Sequence, residues 1–87
     1  MGRYRLVVRE SVAKDLRDIP KQDVSRIVDS LKSLAKEPRP PGSEKLSGQE
    51  RYRIRRGAYG ILYEIDDTDI CIVIVKVGHR KDVYRKR

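Results

Sequence analysis

Arg51-Tyr52-Arg53-Ile54-Arg55-Arg56-Gly57-Ala58-Tyr59-Gly60-Ile61-Leu62-Tyr63-Glu64-Ile65-Asp66 is the stretch that decides the fold. Its polar and apolar residues alternate with period two, the signature of strands with one buried face. Two strands are expected, over 50–56 and 59–66, joined through Arg56-Gly57-Ala58, a connection short enough to force a β-hairpin. On the first arm Tyr52 and Ile54 must face the core, so Arg51, Arg53 and Arg55 share the opposite face.

Working upstream, 3–9 reads as a strand with Tyr4, Leu6 and Val8 on one side. A short helix is expected at about 11–18, with Ser11 as its N-cap and Val12, Ala13 and Leu16 facing inward. Pro20 interrupts it and opens a longer helix, in which Val24, Ile27, Val28, Leu31, Leu34 and Ala35 recur at steps of three and four. Pro38 marks its end, and the Pro- and Gly-rich residues 38–49 form a loop. Downstream, Asp66-Asp67-Thr68 gives a second turn and 69–77 a last strand, after which Gly78 lets the chain leave the sheet. The order β-α-α-β-β-β defines an α+β fold, a helical hairpin on a mostly antiparallel four-stranded sheet. Eighty-seven residues support one core, so 1–87 is expected to be a single domain.

The charge is concentrated. The net value of +8 is carried by two short segments: residues 51–60 hold four arginines and no acid, and 76–87 hold six Lys or Arg against Asp82 alone. The rest of the chain is close to neutral, with eleven basic and twelve acidic residues. Solubility alone spreads charge, whereas a polyanion site gathers it. Guanidinium forks match phosphate oxygens in a bidentate way, which makes the Arg51, Arg53 and Arg55 face a phosphate-binding candidate. The alternative is a solvated face balanced by acids from elsewhere in the fold. Cys71, inside the apolar run 70–75, reads as a small buried hydrophobe. One thiol makes no internal disulfide, and the apolar runs are too short to span a bilayer, so a reducing, cytoplasmic location with no membrane partner is expected. No metal-ligand spacing is present, and no cofactor or metal is expected.

Three motifs in fixed order, Tyr52-Arg53-Ile54-Arg55, Gly57-Ala58-Tyr59-Gly60-Ile61-Leu62-Tyr63-Glu64-Ile65 and Val77-Gly78-His79-Arg80-Lys81-Asp82-Val83-Tyr84, resemble the signature of the RelE/ParE toxin superfamily. Leu46-Ser47-Gly48 before the hairpin and the leading β-α-α pattern extend the resemblance over essentially the whole chain. It implies a fold related to microbial ribonucleases, and a RelE-like toxin of a toxin–antitoxin system. The expected activity is ribosome-dependent cleavage of mRNA in the ribosomal A site, with a RelB-like antitoxin as partner. The alternatives are a ParE-like poison of DNA gyrase, or a weakened member that binds RNA or antitoxin without turnover.

The resemblance places Arg53, Arg55, Arg80 and Tyr84 in the catalytic set, with Arg51, Arg56, His79, Lys81 and Arg85 contacting RNA phosphates. Attack of a 2′-hydroxyl on phosphorus needs a proton acceptor, a proton donor and positive charge on the phosphorane. A single histidine excludes a paired-histidine scheme, and arginine keeps its proton far above neutral pH. Arg53, Arg55 and Arg80 are therefore phosphate orienters, and Tyr84 a base-stacking or proton-transfer group. Two departures from the family pattern bear on activity. Relatives often carry lysines where Arg53 and Arg55 stand, and many have arginine where this chain has Gly60, which implies reduced turnover.

Overall fold

A computed structural model describes residues 3–46 and 50–79. The order is β1 (Arg5–Val8), α1 (Glu10–Arg17), α2 (Lys21–Lys36), β2 (Glu44–Lys45), β3 (Arg51–Arg56), β4 (Tyr59–Asp66) and β5 (Cys71–His79). The strands form one sheet in the order β1-β5-β4-β3-β2. All neighbours are antiparallel except β1 and β5, which run parallel. The α+β architecture matches expectation, with one addition. Glu44 and Lys45, within the expected loop, pair with Arg53 and Tyr52 as a short fifth strand at the sheet edge.

The helices cover one face of the sheet. Val12, Ile27, Leu31 and Leu34 meet Tyr52, Ile54, Ile61, Tyr63, Ile65, Ile72, Ile74 and Val77, all buried. Tyr52 and Ile54 therefore point inward, as alternation requires. Cys71 is buried and carries a free thiol. Along α2 the buried positions Ile27, Leu31, Leu34 and Ala35 follow the helical period. Val8 and Ala13, expected to face inward, are exposed. Val8 lies on an edge strand just before α1 starts, and α1, only eight residues long, commits Val12 and part of Leu16 to the core. Nor does Ser11 cap that helix: it begins one residue earlier, with Arg9 at the cap position and no side-chain cap.

The hairpin between β3 and β4 turns through Gly57 and Ala58. Gly57 has φ of +61°, the value a two-residue turn of type II′ demands at its first position. The β4–β5 connection starts where Asp66 Oδ1 accepts hydrogen bonds from the amides of Thr68 and Asp69, at 2.9 and 3.0 Å. It ends at Ile70, whose φ of 52° is unusual for a β-branched residue.

The loop after α2 is strapped to this end of the sheet. Arg39 Nε donates to the Tyr52 hydroxyl at 3.0 Å and Nη2 to Asp67 Oδ2 at 3.0 Å, with the guanidinium 5.4 Å from the Tyr52 ring centre. The Tyr4 hydroxyl donates to Asp67 Oδ1 at 2.6 Å, joining β1 to the same cluster. Buried Tyr63 stacks on Tyr52 with centroids 5.8 Å apart and donates to the Pro38 carbonyl at 2.7 Å. Exposed ion pairs each contribute about 0–1 kcal/mol, so the strap mainly fixes position.

Candidate nucleic-acid interface

The sheet face away from the helices carries the arginines. Residues directly opposite in antiparallel strands project on the same side. Across β3, β4 and β5 this gives Arg53 beside Leu62 beside Lys76, and Arg55 beside Gly60 beside Gly78. Arg51 lies opposite Glu64, and Glu64 opposite Val73. The open face thus sets Arg53, Arg55 and Lys76 around two adjacent strand positions that have no side chain, and the Lys76 ammonium lies 3.9 Å from Asp15 Oδ2 of α1.

A register slip in β5 creates this grouping. Leu62 pairs with Lys76, but the next residue, Tyr63, pairs with Ile74, leaving Val75 as the extra residue of a bulge. Buried positions consequently change parity along the strand, from Ile72 and Ile74 before the slip to Val77 after it. A bulge re-aims the side chains that follow it. Here it turns Lys76 to the open face and His79 to the helix side. The expectation that the chain leaves the sheet at Gly78 is corrected: β5 continues to His79, and Gly78 pairs with Gly60 inside the ladder. Pairing uses only backbone groups, so a glycine opposite a glycine is no barrier to it.

The arginines are not electrostatically equivalent. Arg51 is engaged by Glu64, through Nε at 3.0 Å and through a closer Nη2 contact. Arg53 Nε donates to Glu44 Oε1 at 2.9 Å, a contact that the short β2 strand provides. Glu50, Glu64, Asp66 and Asp67 gather around the β4–β5 loop, where Arg51 also lies. Arg55 and Arg56 stand at the other end, beside the β3–β4 turn. Charge therefore grades from acidic at the loop to basic at the hairpin tip. Acids from elsewhere do balance the start of β3, and the basic excess lies toward its end.

Arg56 and His79, expected to act with the open-face arginines, lie on the helix side. Arg56 Nε donates to Ser30 Oγ at 2.9 Å, and Nη1 to the Arg55 carbonyl at 3.2 Å. The His79 ring meets Tyr59 edge-on at 6.1 Å. Arg80, Lys81, Tyr84 and Arg85 lie outside the described residues. No cluster able to hold a metal ion occurs among the described residues, nor is any described helix long and apolar enough to cross a membrane.

Several described tyrosines hold their protons more tightly than free tyrosine. Burial pushes the Tyr63 hydroxyl up to about 12. Burial and then Asp23, which accepts its hydrogen bond at 3.2 Å, raise Tyr59. The hydrogen bond to Asp67 raises Tyr4. None of these three is suited to accept a proton as tyrosinate near neutral pH.

A scan against protein-family models matches residues 6–84 to the ParE toxin of the type II toxin–antitoxin system parDE. The chain belongs to the RelE/ParE family of toxins. It is 32% identical to Toxin RelG of Mycobacterium tuberculosis, over 95% of this chain and 98% of that protein. It is 25% identical to the putative toxin RelE1 of Methanocaldococcus jannaschii, over 95% and 97%. Among solved structures, the archaeal RelE–RelB complex of Pyrococcus horikoshii matches with TM-score 0.78 and 29% identity, covering 92% of this chain and 97% of that one. The family is that of type II toxins, and the fold of this member is RelE-like.

Proposed function

We propose that residues 1–87 form one RelE-like toxin domain that acts as an endoribonuclease on ribosome-bound mRNA and so arrests translation in the cytoplasm. The observation that carries this reading is the juxtaposition of Arg53 and Arg55 on the face away from the helices, with Lys76, whose ammonium lies 3.9 Å from Asp15 Oδ2 of α1, in register beside Arg53 across Leu62. RNA laid there has its scissile phosphate between Arg53 and Arg55, whose guanidiniums neutralise the two non-bridging oxygens as the phosphorane forms. The 2′-hydroxyl oxygen bonds to phosphorus and loses its proton, while the bond to the 5′-oxygen breaks and that oxygen gains one. The products are a 2′,3′-cyclic phosphate and a free 5′-hydroxyl. Arg80 and Tyr84 complete the catalytic set, with Arg51, Lys81 and Arg85 as flanking phosphate contacts. The carboxylates nearest this face, Glu44 and Glu64, are each held by an arginine, which fits a slow enzyme that relies on the ribosome to position its substrate.

A RelB-like antitoxin is the partner this reading requires, and solved relatives are RelB–RelE complexes. The family model bears the ParE name, so gyrase poisoning is the second reading. Primer extension on mRNA with purified ribosomes separates them. Cleavage near the A site, reduced at least about a hundredfold by Arg53→Ala/Arg55→Ala, is the expected result. Intact message together with gyrase-dependent DNA breaks in expressing cells refutes it in favour of the second reading.

A further inference from the structure

The helix side of the hairpin tip holds a second basic feature, which the open-face chemistry does not use. A cavity of about 450 Å³ lies between one face of α2 and the β3–β4 turn. Arg26 and Arg56 line it, with Asp23 as its one carboxylate among the described residues, Ser30 and Ile27 toward the core, and Tyr59 and His79 along one side. Ser30 is buried, and its hydroxyl donates to the Arg26 carbonyl at 3.1 Å while accepting from Arg56 Nε. The Arg56 guanidinium is therefore held in place by two hydrogen bonds before anything binds, and its Nη2 is not part of either. A pre-positioned planar fork loses little entropy when it grips an oxyanion.

Position connects this cavity to the open face. Arg55 and Arg56 are consecutive strand residues, so their side chains leave on opposite sides of the sheet. The tip between the two sides is only Gly57 and Ala58, whose small size permits close approach of a backbone. From these features we infer that the cavity is a second phosphate subsite, which takes a nucleotide of single-stranded RNA after the strand rounds the hairpin tip. The inference rests on the RNA reading of the open face. One phosphate meets Arg56 and Arg26, and its base lies against Tyr59 and His79, as single-stranded bases do on aromatic side chains. Asp23 opposes the phosphate and sets the limit on affinity.

The test uses uncleavable 2′-O-methyl oligonucleotides, a trinucleotide and one of about ten nucleotides, with binding followed by anisotropy against salt. Arg53→Ala/Arg55→Ala should abolish binding of both. Arg56→Gln should weaken only the longer one, roughly tenfold, and lower its salt slope by about 0.7, the value for one phosphate contact on a single strand. Adding Arg26→Gln should lower it further, Arg56→Lys should restore the slope, and Asp23→Asn should tighten the longer oligonucleotide. Unchanged melting temperatures verify that each variant folds. If Arg56→Gln weakens both lengths equally, its effect passes through Arg55 and the subsite is refuted. If neither α2-side variant matters while Arg53 and Arg55 do, the subsite fails and the RNA reading stands. Failure of the native chain to bind either length overturns both. A glutamate-rich peptide whose binding needs Arg26 and Arg56, with oligonucleotide affinity unaffected, assigns the cavity to a protein instead.

Discussion

Gly60→Arg should increase catalysis while leaving stability nearly unchanged. Gly60 sits across from Arg55 on one side and Gly78 on the other, on the open face. An arginine there projects beside Arg55, in register with Gly78. Directly opposed like charges in a sheet destabilise by about 0.2–1 kcal/mol. Removing a glycine from a strand interior returns about 0.5–1 kcal/mol. The two nearly cancel, so melting should move by no more than a few degrees. A third guanidinium next to the scissile phosphate acts on the transition state, where one preorganised donor changes the rate by about 10²–10³. The assay is single-turnover mRNA cleavage on purified ribosomes, run beside Gly60→Ala, which adds volume without charge and should leave the rate unchanged. Equal rates for Gly60→Arg and the native chain, with the fold intact, refute the placement of this position in the site. An equal gain from alanine assigns the effect to strand stiffness instead of charge.

Tyr63→Phe should cost about 1 kcal/mol at pH 7, since it leaves the Pro38 carbonyl without its donor. The folded-state pKa of Tyr63 is raised to about 12 from 10.0. Its stabilisation is therefore fully present below pH 10 and is lost as pH rises toward 12, while the phenylalanine variant has no such loss. Urea titrations of the two should converge near about pH 11; a difference independent of pH contradicts the raised value. Ile70→Gly should raise the melting temperature by about 2–6 °C, because the left-handed conformation costs a β-branched residue about 1–2 kcal/mol and glycine gives back part of that in unfolded-chain entropy. A fall in melting temperature means that the exposed Ile70 side chain makes contacts worth more than the strain. Asp67→Asn should remove an acid-limb loss of stability: the hydrogen bond from Tyr4 and then Arg39 hold the Asp67 carboxyl below its ordinary value. That contribution is present above about pH 4 and disappears as pH falls through the lowered value.

Much of this fold is legible in the sequence because burial leaves periodic marks. Tyr52 and Ile54 between arginines place β3 and both its faces, and the stripe from Ile27 to Ala35 places α2. The short β2 leaves no such mark. It is two residues in a Pro- and Gly-rich stretch, stabilised by pairing with β3, yet it brings Glu44 to Arg53 and so alters the site. The side taken by His79 is hidden for another reason. Strict alternation from Ile72 and Ile74 puts Lys76 and Gly78 inward and His79 on the open face. A lysine flanked by apolar Val75 and Val77 is the one sign in the sequence that alternation slips there. Gly78 misleads because glycine usually marks a turn, while in this sheet it faces another glycine within a ladder. Arg56, whose partner Ser30 is 26 residues away in sequence, acquires its place only through tertiary packing.

The strand order also has a consequence for how the molecule comes into being. β5 lies between β1 and β4, and Arg5 finds its partner at Cys71. As the chain is synthesised, the first strand has no neighbour until the last is made, and the hairpin that carries Arg53 and Arg55 lacks Lys76 beside it. Local pairing can form the β3–β4 arm early, but closing the sheet means closing a loop that spans most of the chain, a slow step for a domain of this size. A toxin assembled in this way has its complete sheet only after one late event, the pairing of its first strand with its last.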